Sequence, residues 1–257
     1  MDDRLCADSG QKKDILASES ELVLYYEPAM QNSVLELQDL LFDNLLQYHG
    51  QHYCKSQNAL KRMADGKLFS KKQEALSALR QFAEIVQEDL CFLDGPSSTL
   101  LGGLVCFPSR WNLRDKIGKN MAQIHQPVPN FASKLEGLVT KYIDSIPVNK
   151  PVERWNWTMH DSDEYFCPFP DKKKPEHLEE ILLEKVFLRL ERQTLVRLPK
   201  SQQVVFTIRT HIQNLASLPK SVLRSLREQI KSMPTENRDY KGMSTFVEPL
   251  LKGLQNI

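Results

Sequence analysis

Val186-Phe-Leu-Arg-Leu-Glu-Arg-Gln-Thr-Leu-Val-Arg-Leu198, the break Pro199-Lys-Ser201 and the run Val204-Val-Phe-Thr-Ile-Arg-Thr-His-Ile212 decide the fold class of this chain. Two runs of apolar and β-branched residues on either side of a proline turn read as long strands in a hairpin. A symmetrical closure sets Leu195 opposite Val205, Gln193 opposite Thr207, Glu191 opposite Arg209 and Arg189 opposite His211, all on one face. The other face carries Val186, Leu188, Leu190, Val196, Val204, Phe206 and Ile208, interrupted by Arg192. This is either a cross-strand ion pair worth at most about 1 kcal/mol with a snorkelling arginine, or a polar pocket on the sheet. In the second reading Glu191 anchors a cationic substrate, and Arg192 or Arg209 pairs with a carboxylate or polarises a bound oxygen species. A buried arginine needs a fixed anionic partner, because a lone buried charge is costly.

Upstream, Leu90–Leu93, the turn Asp94-Gly-Pro-Ser-Ser98 and Leu100–Phe107 read as a second hairpin, and Val152–Met159 alternates like a strand. Helices are expected from Ser33 to Gly50, from Lys71 to about Glu88 with Ser70 as cap, and over about 112–123. Others are expected from Asn130 to Pro147, at about 219–232 and at 244–254. Helices, hairpin, helices, strand, hairpin and helices make an α+β protein with a mostly antiparallel sheet and flanking helices. Residues 1–26 lack periodicity and read as a flexible lead-in to a single domain over 27–257. The acidic and aromatic stretch 160–176, ending in Lys172-Lys-Lys-Pro175, reads as a loop with a solvated turn.

The chain has 257 residues, 41% of them hydrophobic and 26% charged, which is enough to bury a core and argues against disorder. A formal net charge of +1 offers no basic face for nucleic acid. Five cysteines without a CxxC pair suit a reducing compartment. No apolar run reaches membrane-spanning length and the first residues are polar, so the expectation is a cytoplasmic protein without a membrane segment. No GxGxxG, Walker or GxSxG motif is present.

Among candidate ligands, His125 stands at the end of a short helix just before Pro127-Val-Pro129. It reads either as a satisfied histidine or as a metal or heme ligand. His49-Gly-Gln-His-Tyr-Cys54 has three metal-type side chains but no second cluster at zinc spacing. Trp155 and Trp157 share a strand face, with Asn156 on the other, as core packing or as a flat cofactor wall.

Three blocks together resemble a known family. They are Cys106-Phe-Pro-Ser-Arg-Trp-Asn-Leu113 with Lys116-Ile-Gly118 and Ile124-His-Gln-Pro-Val-Pro129; Arg154-Trp-Asn-Trp157; and Leu190-Glu-Arg-Gln-Thr-Leu-Val-Arg-Leu-Pro199 with Phe206-Thr-Ile-Arg-Thr210. Over about residues 30–253 the chain is similar to the heme-carrying alpha subunit of the heme-dependent oxidative N-demethylases. The resemblance implies a PAS-like domain holding heme b, with His125 as axial ligand and His160 or His211 as the alternatives. Trp111, Lys116, Asn156 and Trp157 would contact the cofactor, and Glu191, Arg209 and Arg192 would be catalytic. It implies dioxygen and a small secondary alkylamine such as dimethylamine as substrates, and formaldehyde as product. It also implies an electron-donor reductase subunit carrying flavin and an iron–sulfur cluster. A heme-PAS sensor without turnover and a heme-free PAS-like interaction module are the alternatives.

Overall fold

The computed structural model describes residues 1–126, 128, 136–148, 150–170, 183–241, 243 and 247–254. Pro127, Pro129, Asn130 and the Lys172–Pro175 turn lie outside the described residues. In chain order the main elements are α1 (Leu5–Ser18), α2 (Ser20–Val23), β1 (Leu24–Tyr25), α3 (Gln31–Tyr48), β2 (Tyr53–Ser56), β3 (Ala59–Arg62), β4 (Leu68–Ser70) and α4 (Ala75–Ile85). Then come β5 (Asp89–Leu93), β6 (Leu100–Leu104), α5 (Met121–Ile124), α6 (Glu136–Ser145), β7 (Val152–His160), β8 (Phe187–Arg197), β9 (Val204–Asn214), α7 (Lys220–Ser232), α8 (Thr235–Tyr240) and α9 (Val247–Gly253). One sheet has the order β1-β6-β5-β9-β8-β7 and a small one β2-β3-β4, every pair of strands antiparallel. The fold class is α+β.

The register of the last hairpin differs by one residue from symmetrical closure. Glu191 pairs with Thr210 and Arg192 with Arg209. The loop is four residues long, because Leu198 N–H donates to Gln203 O at 2.9 Å and Gln202 adopts a left-handed φ of 59°. The Glu36 carboxylate pins this turn by accepting Lys200 N–H at 2.6 Å and Ser201 N–H at 2.8 Å. A one-residue slip moves a whole strand's side chains to the other face. Arg154, Asn156 and His160 of β7, Arg189, Glu191, Gln193 and Leu195 of β8, and Phe206, Ile208 and Thr210 of β9 therefore share one face. Trp155, Trp157, Arg192, Arg209 and His211 share the other.

That second face is covered at both ends. Leu90, Phe92 and Val205 pack with Val34, Leu37, Leu79 and Phe82 of the N-terminal helices, while Leu188, Leu190 and Trp157 pack with Leu223, Ile230 and Leu250. The chain between β6 and β7 lies across the first face, where Cys91, Leu93, Leu195, Val204 and Phe206 meet Trp111, Met121, Ile124 and Ile143.

Two expected helices differ in their bounds, and two stretches with no predicted element form regular structure. Residues 5–18, expected within a flexible lead-in, form α1, whose inner side includes the fully buried Asp8 and Lys12. Lys12 Nζ lies 3.2 Å from Asp89 Oδ1, so a polar face rather than an apolar stripe docks this helix. The helix expected from Lys71 begins at Ala75, because Ser70 is occupied in β4 opposite Ala59. The helix expected over 112–123 is a single 3-10 turn, Arg114–Lys116, followed by α5. Residues 53–70 form the small sheet, whose strands bury Tyr53, Leu60 and Phe69.

Candidate functional site

The first face of the large sheet holds a buried polar row. Glu191 is 8% exposed and Arg189 0%. Arg189 Nε donates to Glu191 Oε1 at 3.4 Å, and its two terminal nitrogens donate to Tyr165 O, Phe107 O and Thr210 Oγ1. On the other side of the carboxylate, Gln193 Nε2 donates to Glu191 Oε2 at 2.9 Å while Gln193 Oε1 accepts from Arg154 Nε at 2.8 Å. Strand alternation places residues 189, 191 and 193 in one line, and the β7 register sets Arg154 opposite Gln193 and Asn156 opposite Glu191. Asn156 Oδ1 accepts from Lys241 Nζ at 3.2 Å, and the same ammonium donates to Trp157 O and lies 4.7 Å from the Trp157 ring centroid. Burial pulls the Lys241 pKa down, with the Glu191 charge acting the other way. Burial, reinforced by Glu191, pushes the Tyr240 phenol up.

His125 belongs to the chain that crosses this face. Asn120 opens α5 with a reciprocal capping box to Gln123, and His125 closes the turn, its N–H donating to Met121 O at 3.1 Å. Its Nδ1 lies 2.9 Å from the same carbonyl. A carbonyl oxygen only accepts, so this bond requires the proton on Nδ1 and leaves the lone pair on Nε2. A histidine whose second nitrogen is fixed by a backbone carbonyl has the arrangement common to metal-ligating imidazoles. Burial lowers the His125 pKa, the bond to Met121 opposes this, and the charges of Arg154 and Lys116 lower it further. Lys116 donates to Ile124 O at 3.3 Å beside it, and its own pKa is lowered by burial. Trp111, Ile124, Leu195 and Phe206 supply the adjoining apolar surface.

Arg154 joins the two groups: its charge acts on His125 and its guanidinium is hydrogen-bonded to Gln193, next to Glu191. One face of the sheet in this α+β domain thus carries an imidazole of fixed tautomer, nearby cations and a buried carboxylate. The family model described as "Haem-dependent oxidative N-demethylase, alpha subunit-like" matches residues 1–251, and the chain belongs to that family.

The residues on this face fit a heme on the chemistry of their donor set. His125 brings a neutral imidazole with a fixed tautomer, Lys116 and Arg154 bring positive charge for carboxylate substituents, and Trp111 with its aliphatic neighbours brings an apolar wall. Asn156 is on the same face, beside Glu191.

Other expected site residues are not brought together with these. Arg209, expected opposite Glu191, is on the reverse face, where it pairs with Asp8 at 3.0 Å and Asp2 at 2.8 Å. Arg192 is also on the reverse face, paired with Glu88 at 3.0 Å. Trp157 packs on that face too, with Leu190 and Met159. The one-residue register difference accounts for Arg209; Arg192 is on that face by strand alternation alone, where the sequence reading set it. Of the alternative histidines, His160 is on the first face with Nε2 3.1 Å from Ser109 Oγ, and His211 is on the reverse face, stacked on Trp155 at 6.2 Å between ring centroids. Among the described residues no group of three His, Cys, Asp or Glu side chains could hold a metal ion, which covers His49, His52 and Cys54. Arg154, Arg189 and Gln193 carried no assigned role in the sequence. The signal for them is the pairing of odd β8 positions with even β7 positions, which becomes readable once the register is fixed.

Proposed function

We propose that this chain is the heme b-carrying oxygenase component of an oxidative N-demethylase, acting on a small secondary alkylamine and releasing formaldehyde. The observation that carries the reading is the buried Glu191 carboxylate, held by Arg189 and Gln193 on the sheet face that His125 and Arg154 also serve. An ionised carboxylate has about four lone-pair positions, and the hydrogen bonds from Arg189 and Gln193 use two of them. Glu191 is thus equipped to accept the N–H groups of an alkylammonium and to take up its proton, giving the free amine. Asn156, its cross-strand neighbour, offers an amide to the same ligand. Heme held at His125 would supply the activation of dioxygen, one oxygen atom entering the C–H bond beside the nitrogen and the other leaving as water with two protons and two electrons from the partner subunits. The resulting carbinolamine separates into the smaller amine and formaldehyde.

The antiparallel sheet, with a helical crossing laid over one face between β6 and β7, supports the PAS-like description. The alpha-subunit-like family implies further subunits, and we assign to them a flavin and an iron–sulfur cluster that deliver electrons. Among the described residues no disulfide joins the cysteines, in keeping with a reducing compartment. Among the described residues no helix is long and apolar enough to cross a membrane.

The test is an absorption spectrum of protein expressed with heme supply, for wild type and His125→Ala, followed by dimethylamine titration and a formaldehyde assay with an electron donor. The proposal expects a Soret band that is lost or altered in His125→Ala, an amine-induced shift that Glu191→Ala weakens, and formaldehyde production. Colourless wild-type protein points instead to a heme-free interaction module, and bound heme without formaldehyde to a sensor.

A further inference from the structure

We infer that Gln193 is a positioning residue that keeps Arg154 off Glu191, so that the carboxylate remains available to a cationic substrate; this rests on the amine-anchoring reading of Glu191. The amide orientation follows from its partners. A guanidinium only donates and a carboxylate only accepts, so Oε1 must face Arg154 and Nε2 must face Glu191. Gln193 is 8% exposed: its bond to Glu191 is buried, and its bond to the exposed Arg154 is part-buried.

Register makes the spacer necessary. Arg154 stands directly opposite Gln193, and Glu191 is its diagonal neighbour on the same face. Diagonal positions are roughly 7–8 Å apart, within reach of an arginine side chain. At that range the exposed Arg154 guanidinium can fold over onto the buried carboxylate and close a direct bidentate pair with it. Arg189 cannot substitute for Arg154 in this way, because its donors are also committed to Tyr165 O, Phe107 O and Thr210 Oγ1. With Gln193 between them, one cation is held toward His125 and Lys116, while the carboxylate keeps lone pairs for a ligand. One amide thus separates Arg154 from the Arg189–Glu191 ion pair within a single row of side chains.

The experiment is calorimetric titration of dimethylammonium chloride into heme-loaded protein, with heme content and far-ultraviolet circular dichroism measured for every variant. Gln193→Met removes both bonds at similar length, and amine affinity should fall about tenfold or more as Arg154 closes on Glu191. Adding Arg154→Gln to Gln193→Met should restore affinity to within about threefold of wild type, a rescue that a merely structural role would not produce. Gln193→Glu still accepts from Arg154, so it should bind amine better than Gln193→Met; it also guards against a methionine variant that fails to fold. Unchanged affinity in Gln193→Met overturns the inference, as does a double variant no better than the single. Equal losses in the methionine and glutamate variants also overturn it, since the donated N–H would then be what matters. Heme-loaded wild type that binds no dimethylammonium sinks the amine-anchoring reading itself.

Discussion

Glu191 and Arg209 stand on opposite faces of one sheet: Glu191 is paired with Thr210, and Arg209 with Arg192. Arg209 is 3% exposed, and its guanidinium is bound to Asp8 and Asp2, so it ties the N-terminal segment to β9. Removing one partner from a buried ion pair costs about 3–5 kcal/mol. Arg209→Met should lower the urea midpoint accordingly while leaving the dimethylamine affinity and heme spectrum of the folded protein near wild type. A loss of amine affinity at unchanged stability would return Arg209 to the site.

A second ionic tether holds α1. Lys12 Nζ is 3.2 Å from Asp89 Oδ1, both side chains are fully buried, and Asp89 also accepts the N–H groups of Cys106 at 3.0 Å and Phe107 at 2.7 Å. Burial raises the Asp89 pKa, and Lys12 acts against that rise. Lys12→Met strands the carboxylate and should destabilise by about 3–5 kcal/mol. Lys12→Met with Asp89→Asn should cost less than the two single changes added together. Chemical denaturation of the four proteins closes the cycle; strict additivity would mean that the pair contributes no coupling.

What could be read in the sequence divides along physical lines. The long hairpin, β7 and α3 carry strong apolar periodicity, and their residue types and order are enough to indicate a mostly antiparallel α+β fold. His125 and Glu191 stand out as chemically informative from position alone. The hairpin register does not, because it depends on a turn fixed by Glu36, which is 164 residues from Lys200 in sequence. α1 was hidden for a different reason: Asp8, Ser9 and Lys12 make up its buried side with only Leu5 and Leu16. The small sheet was hidden because its strands are three or four residues long and each has few apolar positions. Gln193 is the plainest example at the site, since an uncharged amide acquires meaning only from the cation and the anion on either side of it.

Gly102 illustrates how closely β1, β6 and the following helix approach. A Cβ there would stand 2.5 Å from Tyr25 O and 2.6 Å from Met30 Sδ, the first a backbone atom and the second a fully buried side chain. Tyr25 O cannot move without disturbing the pairing of Tyr25 with Gly103. Gly102→Ala should destabilise by about 1–3 kcal/mol through overpacking. Amide hydrogen exchange should show the loss concentrated at β1; wild-type protection and stability would show that the strand shifts at no cost.

The last expectation concerns acid. His160 is 2% exposed beside Arg110 and Arg189, and burial with these two charges holds its pKa down to about 3, against an ordinary value of 6.5. The folded state therefore keeps His160 neutral while the unfolded chain takes up a proton below 6.5. For a base whose folded pKa is depressed, stability is full above 6.5 and is lost as pH falls through the window between 6.5 and about 3. One such group contributes at most about 1.4 kcal/mol per pH unit. His49, His125 and His211 are lowered by burial as well and add slopes of the same sign. Asp2 and Asp65 are depressed carboxylates, so their stabilisation is lost only as pH falls below 3.8; Asp89, raised by burial, contributes in the opposite sign, so the His160 contribution is read from the difference between variant and wild type. Replacing His160 by glutamine keeps a polar partner for Ser109 and removes one titrating group. Urea midpoints measured from pH 7 to pH 4.5 should therefore fall less steeply for His160→Gln than for wild type. Parallel curves would mean that His160 is already exposed to protons in the native protein.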